Sequence, residues 1–291
     1  MQERSPSRTA LSTAFLRAAH LCIDDNPPVL DDKVSLLLLP DYQRRYLSGL
    51  GRFANPLLNR LRRPSDAFNA MRSHIVVRAR YAEDKLERAR RQGIERYVIL
   101  AAGLDTFAWR QADDEIEVVE IDHPATQAWK RELITRSRLQ TPEDVSFLPI
   151  NFESQTLRDI WPDSEGPDFI SWLGTTYYLR SAAINETLST LAQVTKPGTQ
   201  LVLDFWGKAK LNESSTPLLL GTRISVALLR EPMRSFFDVD EIHALAQATG
   251  WSVREVSHPS DQNARYLAQR NDRLKVPSFT YLAHLENIGK S

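Results

Sequence analysis

Residues 97–106 read YVILAAGLDT, and residues 116–122 read IEVVEID. Each segment contains a short apolar run that is rich in β-branched residues and bounded by turn residues, a pattern typical of a buried strand. The two runs therefore predict strands at Tyr97–Leu100 and Ile116–Ile121. A helix between two such strands would make a βαβ unit.

An acidic residue, Asp122, ends the second predicted strand. It follows Gly103 by about 20 residues, the distance at which nucleotide-binding folds place a carboxylate on the ribose hydroxyls. The spacing indicates a ligand that contains a ribose. It leaves open the alternative that Gly103 only permits a tight turn and that Asp122 only caps a helix.

Three segments of the chain resemble the leucine carboxyl methyltransferase-like family: Val77 to Asp84, Leu100 to Arg110 and Glu120 to Pro124. Further similarity extends over nearly the whole chain. Bacterial members of this family are S-adenosylmethionine (SAM)-dependent O-methyltransferases, many of them linked to small-molecule pathways of secondary metabolism. The resemblance implies a class I methyltransferase fold, SAM as the cofactor and a small-molecule acceptor.

Strands alternate with helices through residues 93–291. The additional predicted strands are Ser146–Ile150, Phe169–Trp172, Gln200–Phe205, Ser252–Val256 and Phe279–Leu285. This order predicts a doubly wound, mostly parallel Rossmann-like α/β sheet within a single domain of residues 1–291. Four candidate ligand-binding residues follow carboxyl ends of these strands: Gly103, Asp122, Asn151 and Leu173.

Residues 1–92 lack strand alternation and are predicted to be helical. A first helix is indicated by helical spacing of the apolar residues Leu11, Phe15, Ala18 and Cys22. A second helix is expected from about Ala67 to Arg91, ended by Gly93. The resemblance implies that this region forms a cap over the cofactor pocket. The run Leu36 to Leu39 is expected to be a buried turn.

The strand pattern stops in residues 207–236, directly after the fifth strand. An insertion of this length in a compact domain is usually a lid or a binding element. An extra packing helix would produce the same pattern, and both alternatives stay open.

Composition excludes several classes of protein. The formal net charge is zero, so no global field attracts nucleic acid or an anionic membrane. A single cysteine excludes an internal disulfide and a Cys-based zinc site. No apolar run approaches the roughly 20 residues that span a bilayer. Arg17 and His20 interrupt the N-terminal apolar patch, so no signal peptide is expected and a cytoplasmic protein is predicted.

The turn after the first strand distinguishes two cofactor classes. A dinucleotide places its pyrophosphate on backbone N–H groups, which requires a glycine-rich turn without a competing anion. This turn has one glycine, and Asp105 stands where the phosphate would lie. SAM has no phosphate and carries a cationic sulfonium, so it tolerates a nearby carboxylate. An NAD(P)-dependent oxidoreductase remains the alternative enzyme class.

The carboxylate of the SAM amino-acid tail calls for a bidentate cation, a role that suits arginine. By resemblance, Arg78 inherits this role, with Arg80 in reserve, and either could instead form a surface ion pair. The resemblance also implies that Asp122 accepts hydrogen bonds from the ribose hydroxyls.

Three positions depart from the family pattern. Ala101 replaces the first glycine of Gly-Ala-Gly, and its methyl group is acceptable only if Ala101 keeps a negative φ and the ligand does not lie against it. Asn151, before Phe152, replaces an aspartate that faces the adenine, and its carbonyl can still accept from the adenine amine. Leu173 replaces a glutamate, so the cofactor's amino group needs another acceptor. These losses leave open a non-catalytic SAM-binding scaffold.

The acceptor decides whether a catalytic base is needed. A carboxylate acceptor is ionised at pH 7 and needs none, whereas a phenol with a pKa near 10 would benefit from one. His20 is the candidate base for a phenol, although it could be a satisfied buried histidine. Tyr177 and Tyr178 could hydrogen-bond the acceptor or simply pack. A carboxyl oxygen is the preferred acceptor.

Overall fold

The computed structural model describes residues 8–52, 66–111, 116–151, 154–208, 233–272 and 274–289. Its sheet has seven strands in the order β3-β2-β1-β4-β5-β7-β6. The strands are β1 Arg96–Leu100, β2 Glu117–Asp122, β3 Val145–Pro149, β4 Phe169–Trp172, β5 Gln200–Trp206, β6 Trp251–Ser257 and β7 Thr280–Asn287. β7 runs antiparallel to both of its neighbours, and the other pairings are parallel. The predicted mostly parallel, doubly wound sheet is confirmed.

Helices precede β1 and connect the strands from β2 onward, whereas the described residues between β1 and β2 contain a short 3₁₀ turn in place of the helix expected there. They are α1 Arg8–Ile23, α2 Lys33–Leu38, α3 Asp41–Arg52, α4 Asp66–Arg90, α5 Pro124–Arg136, α6 Leu157–Ile160, α7 Ser181–Val194, α8 Val239–Ala248 and α9 Pro259–Tyr266. Short 3₁₀ turns occupy Phe107–Trp109 and Thr176–Tyr178.

Helices cover both faces of the sheet. Since successive side chains of a strand point to opposite faces, Val98 of β1 packs with α7 and α8, while its neighbour Ile99 packs with α4. Both faces of β1 are therefore buried. α4 contributes buried side chains to the core, among them Ile75, Tyr81, Leu86 and Ala89.

The N-terminal helices pack at the carboxyl end of β1. Buried residues of α1 and α2 form one hydrophobic cluster with Leu104, which follows β1, and with Leu133 of α5. The expectation of a turn at Leu36 to Leu39 is wrong, because α2 continues through Leu38. Its N-cap is Asp32, whose Oδ1 accepts a hydrogen bond from Ser35 N at 2.9 Å. Six residues are too few to show helical periodicity, and the cap supplies the missing signal.

Two expectations concern regions that the structure describes only in part. The insertion predicted at residues 207–236 lies mostly outside the described residues, since β5 ends at Trp206 and the described chain resumes at Met233 after residue 208. Among the described helices, none combines the length and the apolar character that crossing a bilayer demands.

Candidate active site

The candidate site lies where the strand order reverses. β1 pairs with β2 on one side and with β4 on the other, and the chain visits β2 and β3 before it crosses to β4. In open α/β sheets, such a switch point opens a crevice at the carboxyl ends of the strands, and ligands bind there. The turn after β1, Asp122 at the end of β2 and Leu173 after β4 therefore lie around the switch point, where such a crevice is expected.

Two backbone N–H groups donate hydrogen bonds to the Asp122 carboxylate. Its Oδ2 accepts a hydrogen bond from Gly103 N at 2.5 Å, and its Oδ1 accepts one from His123 N at 2.5 Å. Burial raises the pKa of Asp122 above its ordinary value, although the two N–H donors act in the opposite direction. His123 is the N-cap of α5. Asp122 is therefore not the helix cap, and it ties β2 to the turn after β1.

The turn after β1 has two residues with left-handed backbone. Ala101 and Gly103 both have a φ of 54°. The condition of a negative φ at Ala101 is not met, because the backbone adopts the geometry that a glycine would favour. The turn is also closely covered: a Cβ added to Gly103 would lie 3.2 Å from Ala10 Cβ of α1.

We predict that Ala101→Gly raises the free energy of unfolding by about 1 kcal/mol. Left-handed backbone costs an L-residue roughly 1–2 kcal/mol, and glycine removes this cost. Glycine also gives the unfolded chain more conformational freedom, which offsets about 0.4–1 kcal/mol of the gain in stability. Urea unfolding measures the change. The matched control is Ala102→Gly in the same turn, which lacks a positive φ and should lose stability. Equal losses of unfolding free energy in both variants would mean that the backbone at Ala101 is not strained.

Arg78 lies on α4 and is 6% exposed. Its Nη1 donates to Asp204 Oδ2 at 2.9 Å and to Tyr177 Oη at 3.0 Å. Its other terminal nitrogen lies against the turn after β4: a Cβ added to Gly174 would lie 2.7 Å from Nη2. No hydrogen bond between described residues uses Nη2. Arg78 thus presents one edge of its guanidinium at the carboxyl end of β4.

Arg80 lies elsewhere on the same helix. Its Nε donates to Asp84 Oδ1 at 2.8 Å, and half of its side-chain surface is exposed. Residues two apart on a helix do not share a face. The structure therefore brings Arg78 to the crevice and leaves Arg80 at the surface.

Two of the remaining candidate ligand-binding residues, Asn151 and Leu173, follow the ends of β3 and β4. Asn151 follows β3, and its backbone carbonyl accepts from Gln155 N at 2.8 Å. Leu173 is partly buried against the hydrophobic cluster under α4. Phe152 lies outside the described residues. Asn151 and Leu173 thus follow the carboxyl ends of two strands on opposite sides of β1.

Tyr177 and Tyr178 belong to an aromatic cluster beyond β4. Their ring centroids are 4.7 Å apart, and the ring of Tyr177 also lies 5.0 Å from that of Trp206. Tyr177 is buried, and Tyr178 is partly buried. Packing accounts for both rings, and the hydroxyl of Tyr177 additionally contacts Arg78.

His20 is 1% exposed, and both of its ring nitrogens have partners. Nδ1 lies 2.7 Å from Asp24 Oδ2, and Nε2 accepts a hydrogen bond from Val29 N at 2.9 Å. Asp24 in turn accepts two hydrogen bonds from Arg72 of α4. A base must have a nitrogen free to accept a proton from the acceptor. This geometry counts against His20 as a base and favours the alternative of a satisfied buried histidine.

We predict that His20→Ala lowers the free energy of unfolding by about 1–3 kcal/mol, the range for a buried group that loses its hydrogen-bond partner. Val29 N loses its acceptor and Asp24 loses one contact, whereas SAM affinity should not change. Thermal or urea unfolding measures the loss, with the exposed His243→Ala as the control. A loss of turnover at unchanged stability would restore His20 as a candidate base.

The sequence interpretation did not pair Arg17 with Asp32 and Leu104, and it did not identify Asp204 or His74. Arg17 donates from Nε to Asp32 Oδ2 at 2.7 Å and from Nη2 to the carbonyl of Leu104, so it fastens α1 to the turn after β1. Asp204 and His74 lie beside Arg78. Two signals were available: an aspartate inside the apolar run LVLDFW, residues 201–206, and the four-residue spacing of His74 and Arg78 on α4.

Known proteins resemble this chain in sequence and in fold. The family model of leucine carboxyl methyltransferase matches residues 10–192. YktD of Bacillus subtilis, named as a SAM-dependent methyltransferase, is 28% identical over 302 residues, which cover 98% of this chain and 99% of YktD. A protein of Mycolicibacterium paratuberculosis with the same type of name is 30% identical over 279 residues, covering 88% of this chain and 82% of its own.

A solved structure shares the fold. A duf574 family protein from Streptomyces avermitilis superposes with a TM-score of 0.54 at 13% identity, covering 94% of this chain and 96% of that chain. The family match spans more than half of the chain and includes Arg78, the turn after β1 and Asp122. The chain belongs to the leucine carboxyl methyltransferase family of SAM-dependent methyltransferases.

Proposed function

We propose that this protein is a SAM-dependent O-methyltransferase that methylates a carboxylate of a small molecule. The observation that supports the cofactor site most directly is the pair of opposite charges around one crevice. Arg78 offers a guanidinium edge beside Gly174, and Asp122 offers a carboxylate beside Gly103. These groups fit the carboxylate tail and the ribose hydroxyls of SAM.

The residues around the crevice would bind and orient the reactants. SAM supplies a methyl group that is activated by its sulfonium. Transfer of a methyl group requires an aligned nucleophile and exclusion of water, and it places no new charge on the protein. Leu173 and the aromatic cluster of Tyr177 and Trp206 provide apolar walls near the carboxyl end of β4.

The choice of a carboxylate is supported by two buried histidines near α1 and Arg78, neither of which is available as a base. A carboxylate with a pKa near 4 is ionised at pH 7 and needs no proton acceptor, whereas a phenol keeps its proton. Both ring nitrogens of His20 already have partners. His74 is fully buried and cannot reach an acceptor. This environment suits an acceptor that arrives already ionised.

Isothermal titration with SAM and with NAD tests the cofactor. Heat on addition of SAM and none on addition of NAD would support the proposal, because the turn after β1 has a single glycine and carries Asp105. The opposite result would support the oxidoreductase alternative.

The acceptor requires a separate experiment with methyl-labelled SAM and a small-molecule extract of the source cell. A methyl ester releases labelled methanol in mild alkali, whereas a phenol ether keeps its label. Alkali-labile product would support the carboxylate, and alkali-stable product would support the phenol alternative. SAM binding without any labelled product would point to the non-catalytic scaffold.

A further inference from the structure

A buried carboxylate on β5 connects three parts of the candidate site. Asp204 is fully buried. Its Oδ1 accepts a hydrogen bond from Gly174 N at 2.6 Å, and its Oδ2 accepts one from Arg78 Nη1 at 2.9 Å. His74 Nε2 lies 3.3 Å from the same Oδ2. One side chain thus joins α4, β5 and the turn after β4.

The pair of Asp204 and His74 is closed to ligands. Both side chains are fully buried, whereas Arg78 retains a small exposed surface. Neither ring nitrogen of His74 makes an aligned hydrogen bond with the part of the chain that the structure describes. Any effect of the pair on a bound ligand must therefore pass through Arg78 or through the turn at Gly174.

Asp204 and Arg78 are the charged residues of this cluster, and His74 is neutral. Burial alone would raise the pKa of Asp204, but the charge of Arg78, the nearby ring of His74 and the hydrogen bond from Gly174 N hold the pKa below its ordinary value. Burial lowers the pKa of His74, so its ring is neutral at pH 7. Asp204 therefore stays ionised, and Arg78 is its cationic partner.

The contacts of Arg78 leave one defined edge for a ligand. Asp204 and Tyr177 both accept hydrogen bonds from Arg78 Nη1, and the absence of a side chain at Gly174 leaves space for Arg78 Nη2. A free arginine side chain loses about 2 kcal/mol of rotamer entropy when it is fixed. Because Arg78 is fixed before the ligand arrives, this loss does not reduce the affinity.

We infer that Asp204 is a positioning residue for the cofactor: backed by His74, it fixes the Arg78 guanidinium so that the Nη2 edge meets the carboxylate of the cofactor's amino-acid tail. This inference rests on the proposed function, because it assigns Arg78 to that carboxylate. Asp204 contacts no ligand itself. Its effect should be confined to ligands that carry the tail.

Two ligands distinguish a positioning role of Asp204 from a general structural role. S-adenosylhomocysteine carries the amino-acid tail, and 5′-methylthioadenosine has the same adenosine without it. For Asp204→Asn, we expect calorimetry to show about a tenfold or greater rise in the Kd of S-adenosylhomocysteine, the size of one hydrogen bond to a charged group. The Kd of 5′-methylthioadenosine should not change. In an Arg78→Ala background, Asp204→Asn should cause no further loss.

Other outcomes would overturn the inference. If Asp204→Asn weakened the binding of both ligands equally, Asp204 would be a structural residue. If the affinity for both ligands were unchanged, Asp204 would not position Arg78. Failure of the unmodified protein to bind S-adenosylhomocysteine would instead reject the proposed function, so the two failures are distinguishable.

A second variant covers the case in which Asp204→Asn does not fold. Tyr177→Phe removes the other hydrogen bond on Arg78 Nη1 and keeps the ring in its aromatic cluster. It should raise the Kd of S-adenosylhomocysteine by a smaller factor and leave 5′-methylthioadenosine unaffected. Unchanged binding of S-adenosylhomocysteine in this variant would contradict the inference.

Discussion

Arg78→Ala is expected to weaken SAM binding by about 1.5–3 kcal/mol, a roughly 10- to 150-fold rise in Kd. The guanidinium edge beside Gly174 is lost, and with it the proposed hydrogen bonds to the carboxylate of the amino-acid tail. The same variant should bind 5′-methylthioadenosine normally, because that ligand has no tail. Calorimetric titration with both ligands measures the difference.

Arg80→Ala is the comparison that decides between the two arginines of the Arg-x-Arg segment. Arg80 forms a half-exposed ion pair with Asp84, and pairs of this kind contribute about 0–1 kcal/mol to stability. We expect the variant to keep both its fold and its SAM affinity. Weak SAM binding in Arg80→Ala, together with normal binding in Arg78→Ala, would transfer the role to Arg80.

Stability must be measured alongside affinity for Arg78→Ala. Removing the guanidinium leaves the Asp204 carboxylate buried without its cationic partner, and breaking a buried ion pair in this way costs about 3–5 kcal/mol. Circular dichroism should therefore confirm that the variant is folded at the titration temperature. Arg78→Lys is the milder alternative: it keeps the charge and loses the planar fork, so we expect an intermediate loss of SAM affinity.

The sequence predicts the central sheet well because burial leaves a strong pattern there. β1 and β4 are buried at every residue, and their continuous apolar runs give the observed bounds to within one residue. β3 is only partly buried at the edge of the sheet, and its predicted bounds are shifted by one residue. The antiparallel direction of β7 depends on its pairing with β5 and β6, which no local pattern encodes.

Tertiary contacts explain what the sequence does not reveal about the candidate site. The left-handed φ of Ala101 follows from the path of the turn, whereas alanine by itself favours a negative φ. The pairing of Asp204 with Arg78 joins residues 126 positions apart. His20 is a plausible base in the sequence alone, and only the contacts with Asp24 and Val29 show that its nitrogens are occupied.

Asp122→Ala should weaken the binding of every ligand that contains the ribose. The variant removes the acceptor for the ribose hydroxyls, so SAM, S-adenosylhomocysteine and 5′-methylthioadenosine should each lose about 1.5–3 kcal/mol or more of binding free energy. Calorimetry with these ligands measures the loss, and the exposed Asp144→Ala is the control. A loss restricted to ligands with the amino-acid tail would contradict the assignment of Asp122 to the ribose.

The ionisation of Asp122 adds a dependence on pH to this prediction. Protonation converts one carboxylate oxygen from an acceptor into a donor, so the affinity of the unmodified protein should fall as the pH is lowered toward the pKa of Asp122. Because burial raises this pKa above its ordinary value, the fall should begin at a higher pH than for an exposed aspartate. Asp122→Ala should not show this part of the decline. An identical pH profile in both proteins would show that another group controls the affinity, since a carboxylate that is absent cannot be titrated.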